Sequence, residues 1–258
     1  MTETNLAAVP LPRRTLFTET ALVLGVSLGA SAIWSVLSII RKATAQVSLS
    51  AQTTTMNTSV TPDRPWLDLA FQLTGIALAL VPVVLALHLL RREDPHPTAS
   101  MGFDVRRPVR DVLQGLALTA LIGIPGIGLY LAARELDLNT TMSPANLTAV
   151  WWAIPVLILA AVQNAVLEEV IMIGYLFKRW TQAGLGIWQV ILASALIRGS
   201  YHLYQGFGGF VGNAIMGIIF GWIYTRTKRV MPLVVAHTLL DVFAFVGYTL
   251  LRDHLSWL

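Results

Sequence analysis

The 258-residue chain has no cysteine and little charge. Without thiols it forms neither disulfides nor thiolate metal sites, and a cysteine nucleophile is excluded. Only 12% of its residues are charged while 55% are hydrophobic, against the roughly 25% charged typical of soluble domains. So little charge cannot cover a soluble fold of this size, and most of the surface must face lipid. An HExxH motif is also missing, which excludes a zincin. The Gly206-Phe207-Gly208-Gly209 turn lacks the flanking strand and lysine of a phosphate cradle. The net charge is +4, but the basic residues flank apolar runs, so they read as topology determinants and no nucleic-acid partner is expected.

What the chain does have is apolar runs of membrane-spanning length. A span needs about 20 predominantly apolar residues, and seven segments qualify, roughly 16–40, 66–90, 111–133, 149–177, 187–204, 210–225 and 231–251. The expectation is an all-α polytopic bundle of about seven membrane-spanning helices, the fourth long enough to tilt or break. Ala30-Ser31-Ala32 mimics a signal-peptide cleavage site, but the apolar run continues to Ile40, so a retained helix is expected. Residues 1–110 read as two helices with an external and a cytoplasmic loop, and 111–258 as a catalytic-like domain.

Twelve basic residues, among them Arg13, Arg91, Arg107, Lys178 and Arg229, fall on one side of these segments and five on the other. The positive-inside rule then puts the N-terminus in the cytoplasm and the C-terminus outside the cell membrane. The Ser/Thr-rich 43–65 stretch, with an Asn-Thr-Ser sequon at Asn57, reads as a mobile external loop. Trp66, Trp151, Trp152, Trp180 and Trp188 read as interfacial anchors. Gly217 and Gly221 form a small-xxx-small packing pair.

Ionisable side chains inside a bilayer are costly unless paired or solvated, so each marks a functional candidate. The deep ones are Glu168, Glu169, Arg198, His202, His237 and Asp241, all in the fourth, fifth and seventh segments. Arg198 shares a helix face with His202, and His237 with Asp241, since each pair is four residues apart. Glu168 and Glu169 are adjacent, so only one can point squarely at a common centre, and Arg198 is the natural partner of the other. His237, five residues past Pro232, looks shallower than the rest. A carboxylate beside a histidine can activate water as a general base, and two further polar groups can hold a metal or stabilise an oxyanion. That is the chemistry of peptide hydrolysis.

At these residues the chain resembles the CPBP intramembrane proteases, which include type II CAAX prenyl proteases and bacteriocin-processing or self-immunity proteins. The family pattern is Glu-Glu-x-x-x-Arg, Phe-x-x-x-His and His-x-x-x-Asn. Here it reads Glu168-Glu169 through Ile173, Arg198 through His202, and His237 through Asp241. The resemblance covers about residues 150–245. It implies an intramembrane endopeptidase, glutamate-dependent or metal-dependent, acting on a peptide or lipidated-peptide substrate near the bilayer. The implied catalytic set is Glu168, Glu169, His202, His237 and Asp241. Glu168 and His202 activate water, while His237 and Asp241 polarise the carbonyl or join His202 in holding a metal, for which zinc is the candidate. Three positions depart from the pattern: Ile173 for arginine, Arg198 for phenylalanine and Asp241 for asparagine. The first two are expected to offset each other, with Arg198 forming a structural ion pair with Glu169. The alternative is a non-catalytic scaffold or immunity protein of the same fold. A proton-relaying transporter is more distant, because no inverted repeat is visible.

Overall fold

The computed structural model describes residues 11–252 and 254. The outermost parts of the expected 1–110 and 111–258 units, and both chain ends whose sidedness was expected, lie outside the described residues.

The described residues are mostly helical. The chain runs through α1 (Arg13–Gly25), α2 (Leu28–Ala43), α3 (Pro65–Ala79), α4 (Val81–Arg91), α5 (Pro97–Ser100) and α6 (Pro108–Glu135). Then come α7 (Ala153–Glu168), a π-helical segment (Glu169–Tyr175), α8 (Leu176–Gln182), α9 (Ile187–Tyr201), α10 (Phe207–Thr227) and α11 (Met231–Leu251). Among the described residues, five stretches are long and apolar enough to cross a membrane: Pro65–Arg91, Pro108–Glu135, Ala153–Gln182, Phe207–Thr227 and Met231–Leu251. α1 and α2 make a sixth if taken as one span bent by 56°.

The expected seven is therefore five or six by length. The difference is α9, which has only 15 residues and covers about 22 Å at roughly 1.5 Å per residue. α9 still reaches from one face of the bundle to the other. Its N-terminal end follows α8, beside the Arg179–Glu93 ion pair, while the turn after it meets Lys42 and Asn139 on the opposite face. The break between α1 and α2 falls at Val26-Ser27. The Ser27 hydroxyl donates to the Val23 carbonyl there.

The core gathers around the π segment, where Val170, Ile171, Met172, Ile173 and Tyr175 are fully buried against Phe220, Leu233 and Leu90. α11 packs on α6 and α7, α10 on α9, and α2 along α9. Large apolar side chains such as Leu113, Leu121, Ile124, Leu192 and Leu196 face outward, as lipid contact requires.

Polar contacts close the two ends. On one, fully buried Arg179 donates to Glu93 (2.6 Å) and to the Leu89 carbonyl (2.9 Å), and also lies 3.4 Å from Glu19, which pairs with Arg92. Arg229 ties Asp111 (2.6 Å) and Asp104 (3.0 Å) to the start of α11. On the other end, the 43–65 stretch was expected to be mobile but is held down. β1 (Thr53–Thr55) pairs in parallel with β2 (Thr141–Ser143). Asp137 accepts from Ser50 (2.7 and 2.8 Å), and the Asn57 amide donates to the Pro144 carbonyl (2.8 Å). A segment with this many fixed partners is ordered, Ser/Thr content notwithstanding. Trp152 corrects a second expectation, for it is 3% exposed and belongs to the interior, unlike exposed Trp66 and Trp151.

Candidate active site

The site begins where α7 changes pitch. Glu168 ends α7 and Glu169 opens the π segment. A π turn bonds i to i+5 and recurs at functional sites. Such a turn is wider than an α turn, so neighbouring side chains diverge less around the axis. Its loosened ladder is supported sideways: the Ser194 hydroxyl of α9 donates to the Met172 carbonyl (2.9 Å). The expectation that only one glutamate could face the centre assumed α pitch. Here both carboxylates converge.

Glu169 is sealed, with no side-chain exposure, and Arg198, also unexposed, donates from Nη2 to both its oxygens at 2.8 Å. His237 Nδ1 lies 2.7 Å from Glu169 Oε1. A carboxylate can only accept, so Nδ1 carries the proton of that bond and Nε2 is turned the other way. There it sits 3.8 Å from Asp241 Oδ1. His237 is thus level with the glutamates and not shallower, as its sequence position suggested. Proximity of α10 makes the guanidinium fit. A Cβ on Gly217 would lie 2.9 Å from Ala195 Cα and 3.3 Å from Arg198 Cδ, while the Phe220 ring lies 5.6 Å from the guanidinium carbon.

Glu168 occupies the more open side. Its Oε2 accepts from the Tyr201 hydroxyl at 2.7 Å and lies 3.4 Å from Arg198 Nη1 and 3.8 Å from His202 Nε2. Exposure sorts the residues into two rows. Glu168 keeps 10% side-chain exposure, His202 14% and Asp241 20%, whereas Glu169 and Arg198 keep none. Guanidinium and sealed carboxylate stand behind; Glu168, His202 and Asp241 stand in front.

All six residues singled out in the sequence meet in this cluster. Two more belong to it that the sequence reading missed, Tyr201 and Asn164, the second donating to Asp241 Oδ2 at 3.2 Å. Asn164 is four residues before Glu168, on the same face, so spacing was a usable signal. Tyr201 gave none, because an aromatic in an apolar helix reads as core.

The possible metal ligands differ from those expected. Among the described residues, the group whose donor atoms lie within 4.8 Å of one another is Glu168, Glu169 and His237; His202 and Asp241 are not members. Carboxylate and imidazole donors suit zinc. Charge fits as well: the cluster holds three carboxylates, two of them against Arg198 and the third beside His237, and one guanidinium, so with neutral imidazoles negative charge remains for a cation to balance.

A helical membrane bundle that encloses carboxylates, imidazoles and a guanidinium is a polytopic membrane protein with its chemistry inside the helices. Residues 150–243 match the family model described as Type II CAAX prenyl endopeptidase Rce1-like, and this part of the chain is a domain of that family. The match takes in every residue of the cluster. No curated protein and no solved structure matches the chain.

Proposed function

We propose that the protein is an intramembrane endopeptidase in which Glu168 activates water against a peptide bond presented at the membrane. The observation that carries this reading is the front row: a partly reachable carboxylate 3.8 Å from a partly reachable imidazole, backed by a sealed Glu169–Arg198 pair. Glu168 takes a proton from water as the oxygen bonds to the scissile carbonyl carbon. His202 orients that water, and His237, held by Glu169 through Nδ1 and acting as the imidazolium with a proton on each nitrogen, donates from Nε2 to the developing oxyanion. The proton held by Glu168 then passes to the amine as the C–N bond breaks. Glu169 and Arg198 are assigned a positioning role. The substrate class is a prenylated CAAX-type tail or a similar membrane-proximal peptide, approached from the cytoplasm, with residues 1–110 supporting the 111–258 catalytic part.

A second reading rests on the clustered donors of Glu168, Glu169 and His237. These would hold zinc, which when bound polarises a carbonyl and lowers the pKa of its water.

The test uses full-length protein in proteoliposomes with a fluorogenic farnesylated CAAX peptide. Glu168→Gln is expected to abolish cleavage while leaving the melting temperature unchanged. Cleavage that survives in this variant overturns the reading and favours the non-catalytic scaffold. Metal analysis of active protein separates the two chemistries.

A further inference from the structure

His202 closes α9, and the three residues after it form a 3-10 turn, Leu203–Gln205, before Gly206. The polar groups of this turn are bound largely by segments distant in sequence. Ser35 of α2 accepts from the Tyr204 N–H at 2.6 Å. Lys42, at the end of α2 and 8% exposed, donates to the Tyr204 carbonyl at 2.6 Å and to Thr54, whose own hydroxyl lies 3.2 Å from the same carbonyl. Thr140 donates to the Gln205 carbonyl at 2.9 Å through both its amide and its hydroxyl. Gly206 has φ 125° and ψ 177°, a conformation open only to glycine, and a Cβ there would lie 2.6 Å from Asn139 Cα.

The turn carries Gln205, whose Nε2 lies 3.3 Å from His202 Nδ1 and 3.1 Å from the Tyr204 hydroxyl. An amide nitrogen only donates, so Nδ1 accepts and the proton of the neutral ring sits on Nε2. That nitrogen is buried, has no hydrogen-bond partner and faces Glu168. The Tyr201 and Tyr204 rings lie near the His202 ring, with centroids at 4.8 and 6.3 Å.

We infer that Lys42, outside the family-matched segment, is a positioning residue for His202. Together with Ser35 and Thr54 it clamps the Leu203–Gln205 turn, and Gln205 on that turn holds the His202 ring with its Nε2–H directed at Glu168. A lysine buried here makes physical sense only if it is well partnered, and the partners it has are the turn and the strand over it. The inference places the setting of an active-site ring in the N-terminal helices. Only its kinetic consequence rests on the hydrolase reading above.

The test is ¹⁵N-histidine NMR of the full-length protein in micelles, which reads the ring proton whether or not the protein cleaves anything. Neutral wild-type His202 is expected to carry its proton on Nε2 alone. Gln205→Glu, an acceptor in place of a donor, should move that proton to Nδ1. Lys42→Met should give averaged tautomer shifts, Lys42→Arg should restore the single tautomer, and Ser35→Ala tests the clamp independently should Lys42→Met not fold. On the farnesylated peptide, Lys42→Met should lower kcat about tenfold with KM nearly unchanged, as expected for misplaced catalytic groups. A wild-type proton on Nδ1, or Lys42→Met and Ser35→Ala both indistinguishable from wild type, overturns the inference. Should the tautomer results hold while the wild-type protein cleaves nothing, the clamp stands and the hydrolase reading falls.

Discussion

Arg198 is the residue on which the cluster balances. It is fully buried, chelates Glu169 and approaches Glu168. Truncating one partner of a buried ion pair leaves an uncompensated charge, at a cost of about 3–5 kcal/mol. Arg198→Phe should therefore destabilise the protein by about that much in thermal or SDS unfolding. Adding Ile173→Arg should recover part of the loss, because Ile173 is buried in the same π segment; a double variant no better than the single one removes the compensation. The six charged or imidazole side chains could be found from sequence because charge in an apolar helix is conspicuous. Tyr201 could not, since its function depends on a hydroxyl whose partner comes from another helix. The clustered donors Glu168, Glu169 and His237 differ from the metal set expected from sequence for a similar reason: which nitrogen of His237 faces which carboxylate is a matter of ring orientation, and spacing along a helix does not fix it.

Among the elements, the α9–α10 pair shows how close packing serves the site. Gly217 faces the Ala195 backbone, so even one methyl must push the helices apart or displace Arg198. Overpacking of this kind costs about 1–3 kcal/mol. Gly217→Ala should lower the melting temperature, and Gly217→Val more so; if neither does, the close contact is not needed. The membrane helices themselves were readable, because hydropathy reports length and polarity directly. The π segment was not: Glu169–Tyr175 has an ordinary apolar composition, and the Ser194 hydroxyl that bonds its Met172 carbonyl comes from another helix. Nor was the order of the 43–65 stretch, several of whose partners are 86 to 150 residues away.

For the molecule as a whole, the end carrying α5 is fastened by ion pairs. Burial alone would raise the Asp94 pKa. The Lys178 hydrogen bond at 2.6 Å, with those from Ser100 and the His96 backbone, outweighs it and holds Asp94 at about 2. A folded value below the ordinary 3.8 means stability that is complete above that ordinary value and is lost as the pH falls through it towards 2. The melting temperature should accordingly hold from neutral pH down to about 5 and drop below about 4. Asp94→Asn should flatten that drop, and an unaltered acid limb removes Asp94 from the account. Sidedness can be checked cleanly because the chain has no cysteine. In intact cells an impermeant maleimide should label Ser48→Cys and reach Arg106→Cys only after lysis; the opposite pattern inverts the proposed orientation.

α9 has a consequence for the surrounding lipid. A helix of about 22 Å that bridges both faces is shorter than the roughly 30 Å of hydrocarbon around it. Leu192 and Leu196 point outward from it, so acyl chains beside them must shorten or splay to meet so short a wall. The bilayer is expected to thin at that flank, drawing headgroups and their water towards the bundle, and the lipid-tailed peptide proposed above as substrate would have less hydrocarbon to cross there.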